Sequence, residues 1–570
     1  MGTVTIGLAR IKTDSRVRVF SSYDPVLKDA LKGIPGARWD PKGKCWHYPC
    51  SPVVAPKIIE ALHDNNYQPQ WDENFDNLLH LARAHEKAQG NKEASAEDLL
   101  QPEVRKTDAW LHQLRGYNFA KTLPATLLAM YMGTGKSKTA IDILQNMDGV
   151  SRVLILCPMS VTEVWPKEFE KHAVKEYNLT VLNKGSVKKR AEQAEKTLSR
   201  ATENNPAIIV INYESAWREP LGASKKGSKG LFLNVEWDLV IADEIHKIKA
   251  PGGKCSRFCS KLNARKKLGL TGTPLPHSPL DAYAQFRFLD PAVFGTSNLT
   301  FKNRYAVTKS FRNFEKVVGY QNMDDFYEKF YSITFRAEKD VLDLPEAVHV
   351  ERYCSMSPKN SRVYEQMKED LRTWLNEMSD KVSANNVLTK LLRLAQIADG
   401  FVKNDEGRIQ ELGDHKDAIL KETIDEIEAS EAVVVFARFQ HDLDSIAGVC
   451  RDLDRPCYEL SGRVNERQEW QEFAETNPET APVIAVQIQA GGVGIDLTMA
   501  HYCIYYSVGY SLGDYEQSEA RVHRPGQERN VTYVHLITQN TVDEDIYEAL
   551  DGRREIVNSV LNGYGMEVEI

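Results

Sequence analysis

From residue 109 onward, short and almost wholly apolar runs alternate with stretches of helical period. The first set of runs is Thr126–Met130, Arg152–Cys157, Ala207–Ile211, Leu239–Ala242 and Lys267–Leu270. The second set is Ala432–Phe436, Cys457–Leu460, Val483–Gln487, Tyr502–Tyr506 and Val531–Ile537. A strand apolar on both faces belongs inside a parallel sheet with helices packed above and below. The pattern therefore predicts an α/β protein with two sheet-forming lobes, separated by helical, mixed-charge sequence that begins after Leu289-Asp290-Pro291 and runs to about residue 400. Residues 16–67 form a smaller unit. Val alternates with Arg over residues 16–20, as in a half-buried strand, and Pro25–Leu31 and Pro56–His63 read as helices. Gly33–Gly36 turns the chain, and Pro41-Lys-Gly-Lys44 makes a tight turn between two aromatic strands. Residues 69–108, polar with some helical periodicity, read as a connector. The expected boundaries are 1–68, 69–108, 109–295, 296–405 and 406–570.

Composition narrows this picture. A chain of 570 residues, 42% hydrophobic and 27% charged, can bury several cores without staples. No apolar run approaches the length of a membrane span, and residues 1–20 lack the apolar core of a secretory signal. None of the nine cysteines makes a CxxC or stands at zinc-ligand sequence spacing, so they read as reduced thiols. Net charge is −8, from 72 Lys+Arg against 80 Asp+Glu. Residues 1–60 reverse that balance with ten cations against five anions, which marks the N-terminal unit as a candidate for touching phosphates.

Two motifs carry chemistry. Met130-Tyr-Met-Gly-Thr-Gly-Lys-Ser137 follows an expected strand and opens an expected helix. Gly133, Thr134 and Gly135 can bend so that backbone amides face phosphate oxygens. Lys136 can reach the β and γ phosphates, and the Ser137 hydroxyl can ligate Mg²⁺. Met130 stands where the general phosphate-loop pattern has its first glycine. About a hundred residues on, a buried strand ends in Asp243-Glu244. Asp243 can hold Mg²⁺, and Glu244 can orient and deprotonate an attacking water. In this order the two motifs specify hydrolysis of a nucleoside triphosphate, with ATP and Mg²⁺ the expected ligands.

Asp243-Glu-Ile-His246 resembles motif II of superfamily-two helicases, and Leu268-Gly-Leu-Thr-Gly-Thr-Pro274 resembles their motif III. Gln489-Ala-Gly-Gly-Val-Gly-Ile-Asp-Leu497 is similar to motif V, and Gln517-Ser-Glu-Ala-Arg-Val-His-Arg-Pro-Gly-Gln527 to motif VI. That last string, with Phe335-Arg-Ala-Glu-Lys-Asp-Val-Leu-Asp-Leu-Pro345, is most similar to the Swi/Snf-type branch of double-stranded DNA translocases. The resemblance covers residues 109–555. It implies two RecA-like lobes with helical insertions between them. It also assigns roles: Gln113 reads the adenine edge, Arg521 and Arg524 meet the γ phosphate, and Gln517 lies one helical turn before Arg521. Thr271 and Thr273 relay nucleotide state, while Gly492, Gly494 and Asp496 serve both nucleotide and DNA. Ser160 and Tyr213 become candidate grips on a DNA backbone.

Residues 23–48 are similar to the HARP-type domain of annealing helicases and fork-remodelling translocases, a small α+β unit. Arg38, Trp39, Lys42, Lys44 and Trp46 are its candidate DNA contacts; for each tryptophan a place in the core is the competing expectation. The leading expectation is an ATP-driven translocase on duplex, forked or branched DNA with little base-sequence specificity, monomeric, with no membrane. It would be intracellular, cytoplasmic in a bacterial or virus-infected host and nuclear in a eukaryote. Alternatives are a remodeller of nucleosomes or other protein–DNA complexes, an RNA helicase, and a DNA-binding scaffold on a non-hydrolysing ATPase fold.

Overall fold

The structure is a computed structural model. It describes residues 3–550 apart from 12–13, 35, 51–53, 223–229, 277, 312–313, 378–391, 405, 407, 465, 478, 489–494, 510 and 549. The chain divides into two compact units. The first runs from the N-terminus to Thr308 and resumes over Val317–Val341, and the second takes up the chain at Leu342.

The first unit contains two sheets. Its N-terminal sheet has the order Arg38–Asp40, Cys45–Pro49, Asp14–Phe20, Thr3–Ile11, Gln68–Trp71, antiparallel except for the last pair. Helices Pro25–Gly33 and Val54–Asp64 bury Leu27, Leu31, Ile58 and Leu62 against Val4, Ile6, Val17, Val19, Trp46 and Tyr48. Asp24 starts the first of these helices by accepting from the Val26 amide at 2.8 Å. The expected connector is more ordered than its polarity suggests. Gln68–Trp71 joins the sheet, and Glu73–Gly90 is a helix capped by Asp72, with Phe75 and Leu78 in the N-terminal core. Further along, Gln89 donates to the Ser332 carbonyl at 2.9 Å and Lys92 to that of Tyr331 at 2.8 Å. These bonds tie the helix and the turn that follows it to the larger sheet's edge.

That larger sheet is wholly parallel, in the order Thr334–Ala337, Ala125–Met130, Ala264–Thr271, Trp237–Asp243, Arg152–Cys157, Ala207–Asn212, Asn178–Val181. All five expected strands are present, and Ala125–Met130 and Ala207–Asn212 are buried at every position. The two edge strands were not expected. Each is four residues long and mixes polar with apolar positions. Thr334–Ala337 corrects the expectation for 296–405: that stretch is not purely helical, since it returns a strand to the first sheet, forms the hairpin Ala306–Phe311 with Phe314–Tyr320, and sends Ala347–Cys354 to the second.

In the second unit six parallel strands run in the order Ala347–Cys354, Val531–Thr538, Tyr502–Tyr505, Val433–Ala437, Val483–Gln487, Cys457–Leu460. Lys416, fully buried on helix His415–Asp425, reaches Asp399 at 2.5 Å and Asp543 at 2.8 Å. Truncating one member of such a buried set costs about 3–5 kcal/mol, because it strands the remaining charge. No helix among the described residues is long and apolar enough to cross a membrane.

One buried group makes the first unit acid-sensitive. Burial, helped by the Lys92 charge, pushes the His85 imidazole down from 6.5 to about 4. The unfolded chain therefore takes up a proton below pH 6.5 that the folded chain resists, and stability is lost as pH falls from 6.5 toward 4. At 1.36 kcal/mol per pH unit the loss reaches about 3 kcal/mol. The thermal midpoint should fall over this range, and His85→Leu should reduce the fall; an unchanged acid profile in the variant would remove His85 as the cause.

Candidate active site

Both motifs of the first unit sit at the carboxyl ends of central strands that flank Ala264–Thr271, where parallel sheets place their ligands. Ala125–Met130 delivers the chain into Tyr131–Gly135, and helix Lys136–Gln145 follows. Gly133 and Gly135 lie at φ +78° and +85°, a backbone region that other residues enter only with strain. At Gly135 an added Cβ would also run into the Gln113 side-chain amide, which would have to shift. The missing first glycine has a physical reason. Met130 is still an extended strand residue, paired with Ala337 and packed in the core, and no left-handed turn is needed there.

Gln113 is buried against this loop. Its Nε2 donates to the Thr134 carbonyl at 3.0 Å, and its Oε1 accepts from the Trp110 amide at 3.1 Å. His112 also meets the Thr134 carbonyl, at 2.8 Å. Lys136 folds over the loop and donates to the carbonyls of Met130 and Tyr131 at 3.1 and 3.3 Å. Ser137 is half-buried in the first helical turn.

Strand Trp237–Asp243 ends in the two carboxylates. Asp243 accepts from the Trp165 indole N–H at 3.1 Å and from the Glu244 amide at 3.0 Å. Glu244 adopts a left-handed conformation, φ +49°, which turns its side chain toward the neighbouring strand. There Thr271 donates to its Oε2 at 3.2 Å, and His246 Nδ1 stands 3.3 Å away. The register explains the contact: Asp243 pairs with Leu270, which leaves Glu244 level with Thr271. Thr271 also accepts from the Thr273 amide at 3.1 Å, while the buried Thr273 hydroxyl has no partner among the described residues.

The adjacent acids settle their repulsion unequally. Burial, then the Glu244 charge, pushes the Asp243 carboxyl up to about 7. Burial also opposes ionisation of Glu244, but the hydrogen bond and charge of His246, the Lys136 cation and the Thr271 hydroxyl outweigh it and hold that carboxyl low. Glu244 is thus the standing anion. The donor set fits a magnesium–nucleotide ligand: hard oxygens from Ser137 and Asp243, a cation at Lys136, and a glycine cradle.

Trp165, His246 and His112 are site residues that sequence reasoning left out. His246 lay inside the quoted motif string but carried no role; Trp165 is 78 positions from its partner and had no local signal. Tyr213 needs correcting. It is buried, and its hydroxyl donates to the Asp243 carbonyl at 2.8 Å, which makes it a support beneath the acid rather than a surface for DNA. Ser160 is half-buried in the short turn Met159–Val161 after strand Arg152–Cys157. Trp46 is a core residue whose ring backs Trp39, 5.4 Å between centroids, and Trp39 is 49% exposed. Arg38, Lys42 and Lys44 are exposed.

In the second unit, helix Leu512–Val522 carries Gln517 and Arg521, both half-buried, and Arg524 lies two residues beyond the helix. The Arg521 carbonyl accepts from the Leu497 amide at 3.1 Å, and Arg524 stands 4.0 Å from Asp496. Asp496 caps the following turn through the Thr498 amide and hydroxyl. Motifs V and VI are therefore joined, although Gly492 and Gly494 fall outside the described residues. His523 donates to the Pro345 carbonyl at 2.7 Å.

A parallel sheet bearing a glycine phosphate cradle, its lysine and a terminal Asp-Glu pair defines a P-loop nucleotide-hydrolysing lobe. Residues 81–400 match the SNF2-related domain and residues 415–526 the helicase conserved C-terminal domain; the chain belongs to the SNF2-related family. It is 26% identical over 441 residues to an uncharacterized ATP-dependent helicase of Mycoplasma pneumoniae, covering 76% of this chain and 40% of that protein. It is 26% identical over 458 residues to the mouse chromodomain-helicase-DNA-binding protein 1-like, covering 77% and 48%. It is 20% identical over 502 residues to the human DNA repair and recombination protein RAD54-like, covering 79% and 66%. The chain spans less than half the length of the first two. The solved Sulfolobus solfataricus SWI2/SNF2 ATPase core in complex with dsDNA aligns at TM-score 0.39 and 23% identity, over 82% of this chain and 96% of that one.

Thr271→Val keeps the shape of the strand end but removes a donor to a buried anion. A hydrogen bond to a charged group is worth about 1.5–3 kcal/mol, or roughly ten- to a hundredfold in rate. Steady-state ATPase assays should show turnover reduced by that factor with KM for ATP nearly unchanged. A rise in KM alone would place Thr271 in ground-state binding instead.

Proposed function

We propose that this chain is an ATP-dependent double-stranded DNA translocase that works on forked or branched DNA. The observation that supports hydrolysis is the buried Asp243–Glu244 pair at the strand end, Asp243 held by the Trp165 indole and Glu244 by Thr271 and His246. Ser137 and Asp243 would hold Mg²⁺, which when bound neutralises charge on the phosphates. Glu244, kept ionised, orients the attacking water and accepts its proton. Lys136 leaves the Met130 and Tyr131 carbonyls for the phosphates. Gln113 retains a second N–H and a second lone pair for an adenine edge. Arg521 and Arg524 are the cations proposed to meet the terminal phosphoryl group, where a guanidinium spreads developing charge.

DNA as the partner follows from family membership and from relatives named for DNA binding and DNA repair. Fork preference rests on the N-terminal hairpin. It presents Arg38, Lys42 and Lys44 with the exposed Trp39, a pairing of phosphate-binding cations with a stacking surface. Such contacts carry little base information, so sequence specificity should be slight.

The test is ATP turnover by the full chain against fork, plain duplex, single-stranded DNA, nucleosomal DNA and RNA. Fork DNA should stimulate most, and Lys42→Ala with Lys44→Ala should erase the margin of fork over duplex while basal turnover stays. Equal stimulation by RNA would overturn the DNA assignment. Stimulation that requires nucleosomes would favour a remodeller.

A further inference from the structure

The hairpin that carries those cations also gathers metal-ligating side chains. Its register sets Asp40 directly opposite Cys45, and Cys45 and His47 are two apart on one strand, so all three side chains share one face, with Arg38 across from His47. His47 Nε2 lies 3.5 Å from the Cys45 Sγ and 3.4 Å from Asp40 Oδ2, and the three donor atoms lie within 4.8 Å of one another. For a histidine–carboxylate hydrogen bond 3.4 Å is long, the usual separation being about 2.9 Å. Around a tetrahedral zinc ion, with Zn–S about 2.3 Å and Zn–N and Zn–O about 2.0–2.2 Å, the S–N and N–O edges come to about 3.5 and 3.4 Å.

The turn is built around the same point. Asp40 is held by the Gly43 amide and, on Oδ1, by the Lys42 amide at 3.0 Å, and its Oδ2 faces His47. A Cβ on Gly43 would stand 2.6 Å from Asp40 Oδ2 and 3.3 Å from Cys45 Sγ, so glycine keeps open the space beside these two donors. Cys45 and His47 are buried, 1% and 8% exposed, while the Asp40 side chain is 39% exposed, which leaves one side for a water ligand.

From this geometry we infer that Asp40, Cys45 and His47 form a zinc site that fastens the hairpin, with water in the fourth position. Three different donor types on one rigid two-stranded frame suit a tetrahedral, thiol-tolerant divalent ion and not Ca²⁺ or Mg²⁺, which take oxygen alone. The inference is independent of the ATPase and of the DNA reading.

The test uses the reduced full chain, stripped with a chelator and titrated with Co²⁺, then with Zn²⁺. The inference expects one Co²⁺ per chain with a thiolate-to-cobalt band in the near ultraviolet and intense visible bands of tetrahedral cobalt, all displaced by Zn²⁺. Cys45→Ser should abolish the thiolate band and His47→Gln should weaken binding by more than about a hundredfold, while Cys255→Ser, a thiol elsewhere in the unit, leaves the titration unchanged. A wild-type chain without a thiolate band overturns the inference whether or not the variants fold. So does a band that survives in Cys45→Ser.

Discussion

Two carboxylates on successive residues at the end of a buried strand would repel each other out of any stable fold unless their surroundings differed. The first unit makes them differ. Asp243 lies against an indole N–H in a place where burial pushes its carboxyl up. Glu244 is rotated by a left-handed backbone toward Thr271 and His246, where its charge is stabilised. Every other part of the site is arranged about that asymmetry. Strand Ala264–Thr271 must lie beside Trp237–Asp243 in one register to bring up Thr271, and Ala125–Met130 must lie beside that strand to bring Lys136 within reach of both acids. The parallel sheet is thus a device for placing three strand ends side by side.

Much of this was legible in the chain because its cause is local. Gly133 and Gly135 announce a loop only glycine can make, and an apolar run ending in Asp-Glu announces a buried strand with acids at its tip. The supports were not legible, because they are brought in by topology. Trp165 sits on a helix far away in sequence, and Tyr213, expected at a DNA surface, is packed under Asp243 instead. The edge strands Asn178–Val181 and Thr334–Ala337 were missed as well; each interrupts its apolar positions with polar ones, and pairing with a neighbour defines them.

The N-terminal unit shows the same division. Its alternating Val and Arg positions revealed a half-buried strand, and the helical period of Phe75, Leu78, Leu79 and Leu81 belongs to the helix Glu73–Gly90, whose polar composition hid how firmly it joins the N-terminal core. Cysteine spacing along the chain pointed away from metal, whereas a tight hairpin turns Asp40, Cys45 and His47 into near neighbours. Spacing rules written for knuckles do not see a site whose geometry is set by strand register. On the other face of that hairpin the exposed Trp39 packs, tilted, against the buried Trp46.

The division of labour between the acids is tested most directly by Glu244→Gln, with nucleotide affinity and DNA-stimulated turnover measured on the same preparation. The account predicts that a non-hydrolysable ATP analogue binds within a fewfold of wild type while turnover falls by about a hundredfold or more. Turnover near the wild-type rate would contradict it, since Glu244 would then not be the group that acts on the attacking water.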